Sequence, residues 1–151
     1  MYTCRMALKR TSTAVWHGGV PKGNGTLTTL SGAFKEQPYS VATRFQSEDG
    51  RAGTNPEELI AAAHAGCFTM AFSAQLTNAG HEPTELRTVA TVSIEKQDAG
   101  WTITAIALDV VGKVPGVSAE QFQTLAETAK KGCPVSKALS ATPISMTAKL
   151  A

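Results

Sequence analysis

Aromatic residues are scarce here, at 6% of 151 positions, so any core must come mainly from the Ala, Val, Leu, Ile and Met that dominate its 42% of hydrophobic residues. An excess of one charge is also missing. Fourteen Lys and Arg against 12 Asp and Glu leave a net of +2, with no basic stripe and no acidic tail. A nucleic-acid binder would carry a clustered positive footprint, so no such partner is expected. No uninterrupted apolar run reaches the roughly 18 residues that a membrane helix needs, and no membrane partner is expected either. The opening MYTCRMALKRTSTAVW scatters charges where a secretory leader would have an unbroken apolar stretch, which makes the expected address cytoplasmic. Low-complexity tracts, long linkers and internal repeats are absent, and the length suits one domain over 1–151, with 1–12 as an N-terminal extension.

Cysteine is sparse too: Cys4, Cys67 and Cys133. An odd number at such wide spacing is a poor disulfide framework for a secreted protein. In a reducing compartment these thiols are either small apolar filler or chemistry.

The first third of the chain reads as short strands punctuated by glycine. They fall at Thr13–Trp16, Thr26–Leu30 and Tyr39–Gln46, with Arg44 on the face opposite Phe45 in the third. Thr54 to Gly80 carries the strongest helix signal: Asn55 as a cap, Pro56 at the first position, and Glu57 and Glu58 at the positive end of the dipole. Its body, LIAAAHAGCFTMAFSAQL, is apolar on nearly every side and so predicts a buried central helix. Two strands follow at Leu86–Lys96 and Trp101–Val114. Ser118 with Gln121 opens a further helix that ends at Gly132. Proline after Cys133 makes that cysteine the cap of a short helix, Pro134–Leu139, and a last strand spans Ile144–Leu150. The class is α+β, with antiparallel strands packed around the buried helix.

The thiolate is the reactive form of cysteine, and a helix N-terminus or a nearby cation favours it. Cys133 has the helix terminus. Cys67 lies about three turns inside its own helix, so a cation such as Arg44 would have to hold its charge, with Glu57 available to pair with the arginine. Against this stands filler: a lone cysteine in an alanine-rich helix is usually small apolar packing. His64, one turn before Cys67, would with Cys133 give three zinc ligands, but no fourth ligand and no CxxC pair accompanies them. No metal and no cofactor is expected.

Three stretches tip the balance. QPYSVATRF, TNPEELIAAAHAGCFTMAFSAQL and KKGCPVSKAL occur in that order and resemble the signature of the OsmC branch of the OsmC/Ohr family, with similarity from about Trp16 to Leu150. The early loop HGGVPKGNG contains no arginine, unlike the corresponding loop of the organic hydroperoxide resistance branch. The resemblance implies an OsmC-like fold, an intertwined homodimer with active sites at the interface, and a thiol peroxidase acting on organic hydroperoxides. It makes Cys67 the peroxidatic cysteine and Cys133 the resolving one. Arg44 becomes the arginine that steadies the thiolate, and Glu57 its acidic partner. A lipoylated or thioredoxin-like dithiol protein would return the electrons, and an apolar pocket with Phe68 and Met70 would favour organic peroxides. The alternative is a non-catalytic dimeric module that binds a small apolar molecule or senses redox state. Cys4 carries no role in either reading.

Overall fold

The structure, a computed structural model, describes residues 7–151; Cys4 and the first half of the N-terminal extension lie outside them. The chain forms two compact units that divide between Pro56 and Glu57.

The first unit is an antiparallel meander of β1 (Ser12–His17), β2 (Asn24–Thr29) and β3 (Gln37–Ser40), in that spatial order. Gly25 on the middle strand pairs with Trp16 on one side and Tyr39 on the other. A Cβ at Gly25 would lie 2.8 Å from the Tyr39 ring and 2.9 Å from the Trp16 ring. Without one, the two rings close over the glycine with centroids 5.4 Å apart.

The strand expected over Tyr39–Gln46 stops at Ser40, and Val41–Phe45 forms a short helix, α1. The reason is local. Ser40 accepts a hydrogen bond from the Thr43 backbone N–H, while the Thr43 hydroxyl accepts one from the Ser40 N–H, which makes a reciprocal capping box. The alternation of Val41, Thr43 and Phe45 mimics a strand, but the cap decides the conformation. Arg44 therefore sits in a helical turn.

The second unit contains α2 (Pro56–Asn78), β4 (Glu85–Gln97), β5 (Gly100–Lys113), α3 (Ala119–Gly132), α4 (Pro134–Ala138) and β6 (Ile144–Leu150). β4 and β5 make a long hairpin closed at Gln97 and Gly100, with an irregularity at Ser93 and Ile94. β6 joins the other edge of β5 in parallel, a departure from the expected antiparallel pattern. α3 and α4 supply the crossover that parallel neighbours require. Ser118 caps α3 by accepting from the Gln121 N–H.

The core of this unit joins Phe68, Phe72 and Leu76 of α2 to Leu108 and Val110 of β5 and to Phe122, Ala126 and Ala129 of α3. Phe72 meets Phe122 edge-on, centroids 4.9 Å apart. Gly112 permits the approach: a Cβ there would lie 2.6 Å from the Phe122 ring. Within one chain α2 buries a single row, with Glu57, His64, Phe68, Phe72 and Leu76 buried and Met70 on another side 75% exposed. His64 to Leu76 run at i, i+4 spacing, the period of one helix face. By length and mean hydropathy α2 is the one described helix sufficient to cross a bilayer, although His64, Thr69, Ser73 and Gln75 interrupt its apolar run. Its buried Glu57 and His64, and the packing of its aromatic row on β5 and α3, are the features of a core helix.

Candidate active site

Sixty-six positions separate Cys67 from Cys133, yet their sulfurs are 3.1 Å apart and unbonded. The packing of α2 against α3 brings them together. Phe68 and Phe72 fix the rotation of α2, and Ala126 and Ala129 allow α3 to lie close, so Cys133, just beyond α3, meets the third turn of α2. Cys133 also caps α4, with Pro134 at the first helical position.

The two thiols differ in access and in acidity. Cys133 is fully buried, whereas Cys67 is half-buried. Burial raises the Cys67 pKa, and the neighbouring Cys133 sulfur adds to the rise. The Val135 N–H, from the first turn of α4, opposes both. Burial would raise Cys133 as well. There the Ser136 N–H, the Cys67 thiol, the Ser136 hydroxyl and the Val135 N–H outweigh it and lower the pKa. The sulfur makes no full capping hydrogen bond, but those N–H groups lie close enough to favour its anion. Within this unit the better-stabilised negative charge therefore belongs to the buried sulfur, and the accessible one needs additional help to ionise.

Arg44 belongs to the first unit. It lines a cavity of about 190 Å³ with Trp16, Val20, Tyr39, Ser40, Val41, Phe45 and Pro56, and its guanidinium stands 4.8 Å from the Phe45 ring centroid. Glu57 is buried in the first turn of α2, at the positive end of that helix. The expected pocket shared by Phe68 and Met70 does not form. Two residues apart on a helix means about 200° of rotation, so Phe68 enters the core while Met70 faces outward. Met70 instead borders an open groove of about 940 Å³ between α2 and the start of β4.

Sequence reasoning passed over Ser136. Its hydroxyl lies 2.7 Å from Nε2 of His64, and both side chains are buried. The signal was present in GCPVS, where Ser136 stands three residues after a helix cap and so returns to the cap's face. Burial lowers the His64 pKa, which keeps the ring neutral at neutral pH. Among the described residues no group of three or more His, Cys, Asp and Glu side chains is arranged to hold a metal ion.

Comparison with known proteins places these features in a family context. Residues 47–149 match the family described as OsmC-like protein. Peroxiredoxin OsmC of Escherichia coli is 48% identical over 136 residues, spanning 90% of this chain and 93% of its own length. Organic hydroperoxide resistance protein OhrA of Bacillus subtilis is 37% identical over 89 residues, 58% of this chain and 60% of its own. Among solved structures, an organic hydroperoxide resistance protein from Elizabethkingia anophelis superposes with a TM-score of 0.71 at 26% identity, covering 97% of this chain and 99% of that one.

Proposed function

The chain belongs to the OsmC-like family, and from that membership we propose that it is a cysteine peroxidase that reduces organic hydroperoxides to alcohols. The observation that carries the reading is the approach of the two sulfurs to 3.1 Å, one accessible and one buried. Relatives named as a peroxiredoxin and as organic hydroperoxide resistance proteins support the same chemistry.

In the proposed cycle Cys67 is the peroxidatic residue, because its sulfur is the more exposed of the pair. Its thiolate attacks the distal oxygen of ROOH and the O–O bond breaks. The alkoxide leaves, takes up a proton to give ROH, and Cys67 remains as a sulfenic acid. Cys133 then attacks that sulfur. The S–S bond forms, the S–O bond breaks, and the departing oxygen leaves as water with the proton Cys133 gave up. A dithiol reductant, lipoylated or thioredoxin-like, restores both thiols by exchange and is itself oxidised to a disulfide.

Cys67 needs a cation to ionise against its burial, and we assign that role to Arg44, with Glu57 as its acidic partner. The apolar wall around Arg44, from Trp16, Tyr39 and Phe45, suits an alkyl or aryl peroxide better than hydrogen peroxide. A second copy of the chain is assigned to the exposed side of α2, where Ala62, Ala63, Gly66 and Met70 present an apolar face to solvent. The assembly is then an intertwined homodimer, which light scattering checks directly.

Peptide mapping after one equivalent of cumene hydroperoxide tests the reading. A Cys67–Cys133 crosslink and one equivalent of cumyl alcohol are expected, and Cys67→Ser abolishes both while the protein stays folded. Wild-type turnover in a folded Cys67→Ser variant rejects the enzyme.

A further inference from the structure

His64 and Ser136 have no part in the cycle as written, yet they form a buried polar contact beside the cysteine pair. Nε2 of His64 lies 2.7 Å from the Ser136 hydroxyl, and Nδ1 is buried with no hydrogen-bond partner. A neutral imidazole carries one N–H. Placed on Nδ1, that proton would be a buried donor without an acceptor, which is costlier than a bare lone pair. The N–H therefore sits on Nε2 and donates to Ser136. The serine oxygen then uses a lone pair toward His64, and its own proton is free to point elsewhere. Ser136 stands three residues after Cys133, on the same face of α4, and its hydroxyl favours the Cys133 anion. Two short contacts, His64 to Ser136 at 2.7 Å and Cys133 to Cys67 at 3.1 Å, are thus joined through one turn of α4.

We propose that His64, acting through Ser136, is a positioning residue for the second half of the cycle, holding the serine hydroxyl on the Cys133 sulfur so that the disulfide closes onto Cys67. The proposal rests on the two-cysteine reading above. Its chemistry is the resolution step already balanced there: the anion at Cys133 displaces oxygen from the Cys67 sulfenic acid. The same hydroxyl acts in regeneration. When a dithiol attacks the more accessible Cys67 sulfur, the S–S bond breaks with its electron pair on Cys133, and a sulfur that bears charge well departs faster.

A rapid-quench experiment with one equivalent of cumene hydroperoxide measures two rates together: sulfenic acid at Cys67, trapped with dimedone, and the Cys67–Cys133 disulfide by mass spectrometry. Ser136→Ala and His64→Leu slow closure about tenfold relative to sulfenic acid formation, the scale expected when a hydrogen bond to an anion is removed. Ser136→Thr and His64→Gln, which keep a hydroxyl and a donor, restore it. The inflection of closure rate against pH moves upward in Ser136→Ala, a change that mere loosening of the fold does not produce. The titratable and charged groups nearby are Cys67, His64 and the lysines bordering the Ser136 groove, Lys130, Lys131 and Lys137. An unchanged rate ratio and inflection in Ser136→Ala overturns the proposal while leaving the peroxidase intact, and this variant decides alone if His64→Leu does not fold. A wild-type protein that forms no sulfenic acid overturns both.

Discussion

Oxidation of the cysteine pair is expected to stabilise the folded chain, and the separation of the two residues in sequence sets the size of the effect. A bond between Cys67 and Cys133 spans 66 positions. Closing a loop of that length in the unfolded ensemble removes about 15 cal/mol/K of chain entropy, or roughly 4 kcal/mol at 25 °C. The native state gives little of this back if the sulfurs already stand where the bond needs them, and at 3.1 Å they require a movement of about 1 Å to reach bonding distance. The same free energy read the other way round is functional. By thermodynamic linkage the fold favours the disulfide over the unfolded chain by that amount, about a thousandfold in the equilibrium constant. The assay is urea unfolding of peroxide-oxidised and fully reduced protein at one protein concentration. Oxidised protein unfolds at higher urea with several kcal/mol more stability, and Cys133→Ser shows no difference between the two treatments. Oxidised protein equal to or weaker than reduced refutes the reasoning, because the native structure would then have to distort to make the bond.

Three further outcomes are expected. Cys133→Ser completes one turnover with cumene hydroperoxide and accumulates a dimedone-reactive sulfenic acid at Cys67, with no intramolecular disulfide by mass spectrometry. Phe72→Ala removes a fully buried ring packed against Phe68 and Phe122 and costs about 3–5 kcal/mol in denaturant unfolding. Stability falls with acidification through His64. Its pKa is lowered in the folded protein, so the unfolded chain binds the proton more readily; the contribution is complete above the ordinary imidazole value of about 6.5 and is lost as pH drops below it. Unfolding free energies measured from pH 7.5 downward show this loss in wild type and a smaller one in His64→Gln.

Legibility in the sequence followed the range of the physics involved. Cys133 as a helix cap, Ser118 as another, and the strand over Ile144–Leu150 rest on signals within four residues, and the structure has them there. The Tyr39–Gln46 segment departs from a strand although its signal is equally local, because the Ser40–Thr43 box overrides the alternation of Val41, Thr43 and Phe45. Parallel pairing of β6 with β5 depends on where two intervening helices lie, which no short window contains. The rotation of α2 was hidden for a related reason. When nearly every position is apolar, periodicity cannot say which face is inside, so Phe68 and Met70 looked equivalent until β5 and α3 selected one row.

That selection also determines how accessible each sulfur is. Because the buried row of α2 runs through His64 and Phe68, Cys67 falls at its margin, half-buried and 3.1 Å from the Cys133 sulfur. A helix rotated by one residue, about 100°, would bury Cys67 or turn it fully to solvent, away from Cys133. The aromatic anchors Phe68 and Phe72 thus set the geometry of the thiol pair as much as the stability of the core. Substitutions that shrink either ring should lower the yield of the crosslink before they abolish folding.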